Sequence, residues 1–316
     1  MLRVKARGPI ARKIIEKYHN QFQDKVVSLD AVKQGKATAE DMLKDVKLPT
    51  EFEGYDPLHA IYIYAQNMLS SFVEVLANYR EVEKFNQKMD HAEDEYQPSY
   101  PPQSPITNSY FFFWQICDLC SQSAKKESMA TIAVDLLTHI GGFDASTLQL
   151  FEAMAQSRNG IYLHQGFDEV NQRVLLKELI TAKEYSVHVA SGYQGEEGEV
   201  WLCRLLSSPF KNLPLDYAVA MTTPYIHRMI AMPPIQTWLY FNEYMQRTLA
   251  KTSISNPIEA YEHVMKYGLD TFYWLEYVFQ AYLNVSDQGI FIFGLPDQPE
   301  NLPHFHEAKA KACKLI

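Results

Sequence analysis

At 316 residues the chain is long enough for one large domain or two of ordinary size, because a single hydrophobic core stops growing at roughly 250 to 300 residues. Its 38 acidic against 29 basic residues give a formal charge of -9, which repels polyphosphate at long range and argues against nucleic acid and anionic membranes as partners. Hydrophobic residues at 47% and charged residues at 21% exclude wholesale disorder, and the surplus over an average composition is aromatic, with 20 Tyr and 17 Phe.

No apolar run of about eighteen residues suggests a membrane span. The opening MLRVKARGPIARKI carries charges without the apolar stretch of a secretory signal. Four cysteines do not make a disulfide framework in a chain of this length, so a reducing compartment is expected, with the cytoplasm as the default. The basic run of Arg3, Lys5, Arg7, Arg12 and Lys13 reads as the solvated, positively charged start of a helix.

From Pro9 to about Gln34 the apolar positions Ile10, Ile14, Ile15, Tyr18, Phe22 and Val26 recur at helical spacing. Asp56 as N-cap and Pro57 at the first helical position open a long second helix, whose apolar face runs through Leu58, Ile61, Tyr62, Leu69, Phe72 and Leu76 to about Phe85. The stretch 90–107, rich in proline and acidic residues, interrupts the pattern and is expected to be an exposed linker. The helical signal returns in NSYFFFWQICDLC, apolar on all sides and therefore buried. Two shorter helices follow, Glu127 to Ile140 and Ser146 to Gln156, separated by Gly141 and Gly142.

After Gly160 the period changes. GIYLH, RVLLKELI, EYSVHVA, EVWLCRLL and DYAVAMTT are short, β-branched and aromatic, and predict a mostly antiparallel meander of about five strands. Helices resume beyond Pro233 and Pro234. The strongest start signal is Asn256, Pro257 and Glu259, with helical spacing maintained to Tyr282. GIFIFG near residue 290 suggests one further strand, and Glu307 to Leu315 a short basic helix.

The fold expected from this pattern is α+β, predominantly helical with a small antiparallel β unit inserted between N-terminal and C-terminal helices. Its parts are an N-terminal helical region 1–89, a linker 90–107, a helical region 108–159, the β unit 160–227, and C-terminal helices 228–316 packed with the N-terminal ones.

Three sets of residues carry chemistry. Cys117 and Cys120 form a C-x-x-C whose sulfurs, with His304, His306 and Cys313, would make a zinc site if the tail folded back, although buried structural cysteines are the commoner outcome. The segment SGYQGEEGE spaces Gly192, Gly195 and Gly198 three apart. It leads into a strand and carries Glu196, Glu197 and Glu199, so it suits a turn, or a binding loop for a cationic or peptide partner, better than a phosphate cradle. The β unit also gathers His164, His188, Tyr193, Glu199, Arg204, Thr222, Thr223, Tyr225 and His227. Within this set His188 or His227 would serve as base and Arg204 as an anion-orienting group.

No nucleophile elbow, H-E-x-x-H or similar motif accompanies these residues, and no cofactor is implied. The helix-turn-helix shape around Gly141 lacks the basic second helix that DNA recognition needs. The reading that follows is a cytoplasmic protein-interaction or adaptor module, with Tyr193, Glu196, Glu197, Glu199 and Tyr225 on its contact surface, a protein as partner, and scope for a homo-oligomer. A hydrolase or transferase using the histidine and arginine cluster is the alternative, and a zinc protein through Cys117 and Cys120 the second.

Overall fold

The computed structural model describes residues 6–27, 54–121, 126–141, 143–211, 215–228 and 234–316. The continuation of the first helix to Gln34, Arg3, Lys5, Gly142 and Pro233 lie outside the described residues. The chain forms two compact units, one from 1–90 and 115–156, the other from 91–114 and 157–316.

The first unit is helical. It contains α1 (Pro9–Val27), α2 (Pro57–Leu76), the start of α3 (Glu83–Tyr96), α5 (Met129–Ile140) and α6 (Ala145–Gln156). The N-cap of α2 is Asp56, whose carboxylate accepts from Leu58 N at 3.0 Å and His59 N at 3.1 Å, while Pro57 supplies a residue with no amide hydrogen to satisfy. Glu127 performs the same service for α1 from a distant part of the sequence, accepting from Ile10 N and Ala11 N. Arg7 joins Asp135 of α5 at 2.6 Å and Glu152 of α6 at 2.6 Å, so this member of the basic run is engaged, whereas Arg12 and Lys13 are exposed. In α6 the residues Leu150, Phe151, Met154 and Ala155 are buried, and Phe72 of α2 meets Phe151 and Phe143 edge to face.

The second unit corrects the expected architecture. The described residues mix helix and strand, and the strands build a closed five-stranded barrel with additional strands, not a small β unit in a predominantly helical protein. The barrel strands are β1 (Asn159–Asp168), β2 (Arg173–Glu178), β3 (Glu184–Val189), β4 (Val200–Ser207) and β5 (Ala218–Ala220). Their order is β1-β2-β3-β5-β4, and β4 closes the ring by pairing with β1, Leu163 opposite Val200 and Asn159 opposite Arg204. This order, with β5 between β3 and β4, is not that of a meander.

The sheet continues from β4 through β6 (Tyr225–Arg228) to β8 (Gly289–Phe293) and β7 (Tyr282–Ser286). Both β3–β5 and β6–β8 are parallel. Two strands therefore come from beyond residue 227. The helical periodicity traced from Asn256 hides the first of them. Gly268, at φ +65°, ends helix α8 (Pro257–Tyr267), and a Cβ there would lie 2.5 Å from the Tyr273 side chain. The chain restarts as α9 (Tyr273–Ala281) and runs directly into β7.

Strand alternation decides what fills the barrel. Trp201 and Cys203 of β4, Val174 and Leu176 of β2, and Val187 and Val189 of β3 point inward and form one core with Tyr162, Tyr193, Ile226 and Phe291. The intervening residues face outward, where α7 (Pro234–Ala250) packs on β4 and β6, α8 on β1, and α9 on β8. Arg158 secures this layer by pairing with Glu178 of β2 at 2.7 Å and Glu262 of α8 at 2.5 Å while its guanidinium lies over the Tyr261 ring.

The stretch 90–107 is also structured. Helix α3 continues to Tyr96, and the following loop is anchored by Ser104 Oγ donating to Tyr96 O at 2.8 Å and by the Tyr225 hydroxyl donating to Pro105 O at 2.7 Å. It leads into α4 (Asn108–Phe113), capped by Thr107. Proline and acidic content read as exposure, but the prolines here sit where no amide donor is needed.

Candidate functional site

The β3–β4 loop, residues 190–199, crosses one end of the barrel. It is not a hairpin, because β3 pairs with β2 and β5 while β4 pairs with β1, β5 and β6. Its closing residue is Glu199, 5% exposed, whose carboxylate accepts from Tyr193 Oη at 3.0 Å, Trp201 Nε1 at 3.0 Å and Arg228 Nη2 at 3.2 Å. A buried carboxylate needs such donors to offset lost hydration. Arg228 reaches it from β6 with its guanidinium over the Phe291 ring of β8.

His164 fixes the other side of the loop. Its Nε2 hydrogen donates to Gln194 O at 2.7 Å, and Nδ1 accepts from Gly166 N at 3.1 Å, which defines a neutral imidazole. Burial lowers its pKa, opposed by the bond to Gln194 O and the charge of Glu199. Backbone bonds from Gly198 N to His164 O and from His164 N to Glu199 O, both 2.8 Å, stitch loop to strand. Gly195, at φ +69°, passes so close over this platform that a Cβ would lie 2.6 Å from Trp201 and 2.7 Å from the Glu199 carboxylate. Burial, with the neighbouring Glu199 charge, pushes the Tyr193 hydroxyl far above its ordinary range, so it remains a donor.

Between the two anchors, Glu196 and Glu197 are exposed. The loop is thus a clamped arch with two carboxylates on its outer side. Of the residues expected on a contact surface, Glu196 and Glu197 are at the surface, Tyr193 and Glu199 are the buried support, and Tyr225 lies elsewhere. Tyr225 is fully buried, with its hydroxyl bonded to Pro105 O and its ring edge-on to Tyr110.

The residues considered for acid–base work occupy separate surroundings. His188 lies half-buried on the outer face of β3, between the inward Val187 and Val189. Arg204 is fully buried, donates to Ser157 Oγ at 2.8 Å and stacks on Phe113, while its backbone N donates to Thr222 Oγ1. His227 donates from Nε2 to Gly294 O at 2.5 Å beside the Tyr277 hydroxyl, with its ring against Phe241. Burial brings its pKa down to about 3. The cavity it borders, lined by Ile161, Leu202, Phe241 and Trp274, measures about 10 Å³, the lower bound for one water and far below the space a substrate fills.

Cys117 is buried and Cys120 half-buried in the first unit, whereas His304 and His306 are exposed in the second, His306 capping α10 (Glu307–Ala312). Among the described residues no group of three or more His, Cys, Asp or Glu side chains is placed to hold a metal ion. Sequence reasoning missed Trp201 and Arg228 as partners of Glu199. The first was within reach, since Glu199 and Trp201 are two apart and share a strand face. The second depends on the β4–β6 pairing, which no local pattern announces.

The fold and loop together define a helix-flanked closed barrel with a clamped acidic loop over one end. No protein family matches the chain, and no curated protein or solved structure resembles it significantly. Among the described residues, no helix is long and apolar enough to cross a membrane.

Proposed function

We propose that this chain is a protein-interaction module that offers the β3–β4 loop to a basic surface on a protein partner. The observation that carries the reading is a contrast within one short segment: Tyr193 and Glu199 are buried and bonded, while Glu196 and Glu197 between them face solvent. A loop already held in one conformation loses little entropy on binding. Two adjacent carboxylates on it favour a partner presenting lysine or arginine and speed the encounter. The free thiols at Cys203 and Cys313 support placing the module in a reducing compartment such as the cytoplasm.

The test is affinity capture with the purified chain, followed by titration of each captured protein against wild type, a Glu196→Lys/Glu197→Lys variant and a Glu300→Lys control. Reversal at the loop is expected to weaken binding by roughly tenfold or more and to abolish its salt dependence, with the control unchanged. Equal binding by the loop variant, or no reproducible partner, overturns the reading.

A further inference from the structure

Away from the barrel mouth, a second polar cluster joins α3, α9 and α10. Its centre is Glu276 of α9, which is fully buried and accepts from Tyr96 Oη at 2.7 Å and from Gln280 Nε2. The cation nearest to it is Lys309 of α10. Its ammonium is 3.4 Å from Glu276 Oε2, bonds the Glu95 carboxylate of α3, and lies over the rings of Tyr96 and Phe279 at 5.0 and 5.4 Å.

Besides Lys309, the segment is fastened by an exposed ion pair of Lys314 with Asp270 at 3.2 Å and by few apolar contacts. Helix α10 has six residues, and the apolar side chains buried along it and just beyond it are Ala310, Cys313 and Leu315. The preceding turn adds His304 N to Gln280 O and His306 N to Gln280 Oε1. A helix this short has no stability of its own, so docking decides whether it forms. Docking in turn depends on a charge, because a buried carboxylate that loses its cation is strongly penalised.

We infer that residues 307–315 form a charge-gated latch: the ammonium of Lys309 between Glu95 and Glu276 holds the segment closed, and removing that charge lets it open as a local unit. Opening uncovers Glu276, Tyr96 and the Cys313 thiol. In the closed state Cys313 is 7% exposed, and burial, followed by the Glu276 charge, pushes its pKa up to about 12. A thiol in that state reacts slowly, so its labelling reports opening.

The experiment is time-resolved maleimide labelling of the full chain, with each cysteine read separately by peptide mass spectrometry. Cys203, fully buried in the barrel core, reports global unfolding in the same sample. Lys309→Gln is expected to accelerate labelling at Cys313 by roughly tenfold or more, leaving Cys203 at the wild-type rate and Lys309→Arg within about threefold of wild type. Leu315→Ala opens the latch by lost packing and is expected to accelerate Cys313 alone, showing that the segment moves independently of the barrel. A wild-type Cys313 rate in Lys309→Gln overturns the inference. So does equal acceleration in the Gln and Arg variants, which would assign the effect to packing. Parallel acceleration of Cys203 overturns it as well, since the segment would then be part of the global fold.

Discussion

Acid weakens this unit through its buried neutral histidines, and His227 is the one whose pKa falls furthest. His227 is buried and neutral, with Nε2–H donating to Gly294 O and its ring enclosed by Phe241, Tyr277 and apolar strand residues. Its pKa falls from an ordinary 6.5 to about 3, because burial penalises the imidazolium. The sign follows directly. The unfolded chain takes up a proton near pH 6.5 and the folded chain does not, so the stability contributed by the neutral ring is complete above pH 6.5 and is lost as the pH falls from 6.5 towards 3. Each unit within that window costs about 1.4 kcal/mol, so lowering the pH to 4.5 removes about 3 kcal/mol on account of this residue.

Glutamine at position 227 retains an N–H donor for Gly294 O but does not titrate. The assay is urea unfolding followed by tryptophan fluorescence, comparing wild type with His227→Gln at pH 7 and pH 4.5. The variant starts at a disadvantage of about 1 to 2 kcal/mol from lost ring packing at pH 7. Wild type is expected to lose about 3 kcal/mol more than the variant between pH 7 and pH 4.5, so that the order of stability reverses. Identical pH dependence in the two proteins would refute the reasoning and place the acid sensitivity in other groups, His164 and the carboxylates among them.

Two further substitutions test the scaffold. Arg158→Met leaves Glu178, only 1% exposed, without its cation and is expected to cost about 3 to 5 kcal/mol in urea unfolding at neutral pH, with much of the loss recovered by Glu178→Gln in the same chain. A loss below about 1 kcal/mol would show that the pair is solvated. Glu127→Ala removes the acceptor for Ile10 N and Ala11 N at the start of α1 and is expected to cost about 1 to 2 kcal/mol, with faster amide exchange confined to the first turn of that helix. Unchanged exchange at those amides would exclude the cap.

What was legible in the sequence is what local chemistry decides. Asp56–Pro57 and Asn256–Pro257 start helices where they stand, because a cap and a proline at the first helical position act within one turn. The strands β1 to β5 were also visible as short β-branched runs, and GIFIFG as β8. The closure and the joining of further strands to the sheet were not, because pairing Asn159 with Arg204 and Tyr225 with Ile290 depends on contacts between segments far apart in the chain. Nor was the break at Gly268, since the apolar spacing of Tyr261, Val264, Phe272, Leu275 and Phe279 continues through it while the backbone turns away.

The same distinction separates the polar residues of the barrel into those that support and those that are offered outward. Residue type alone placed Glu196, Glu197 and Glu199 in one acidic group, but Glu199 precedes the inward-pointing Trp201 by two residues and shares its side of β4. Once Arg228 arrives from β6, that carboxylate becomes an internal anchor and its two neighbours become the exposed edge. Arg204 and His227 are inverted in the same way: sequence type suggests reactive groups, but pleat and register turn both against helices, Arg204 onto Ser157 and Phe113 and His227 onto Gly294 O and Phe241. Surface chemistry at this end of the barrel is therefore set by the loop that crosses it, and the buried polar side chains beneath determine how rigidly it is held.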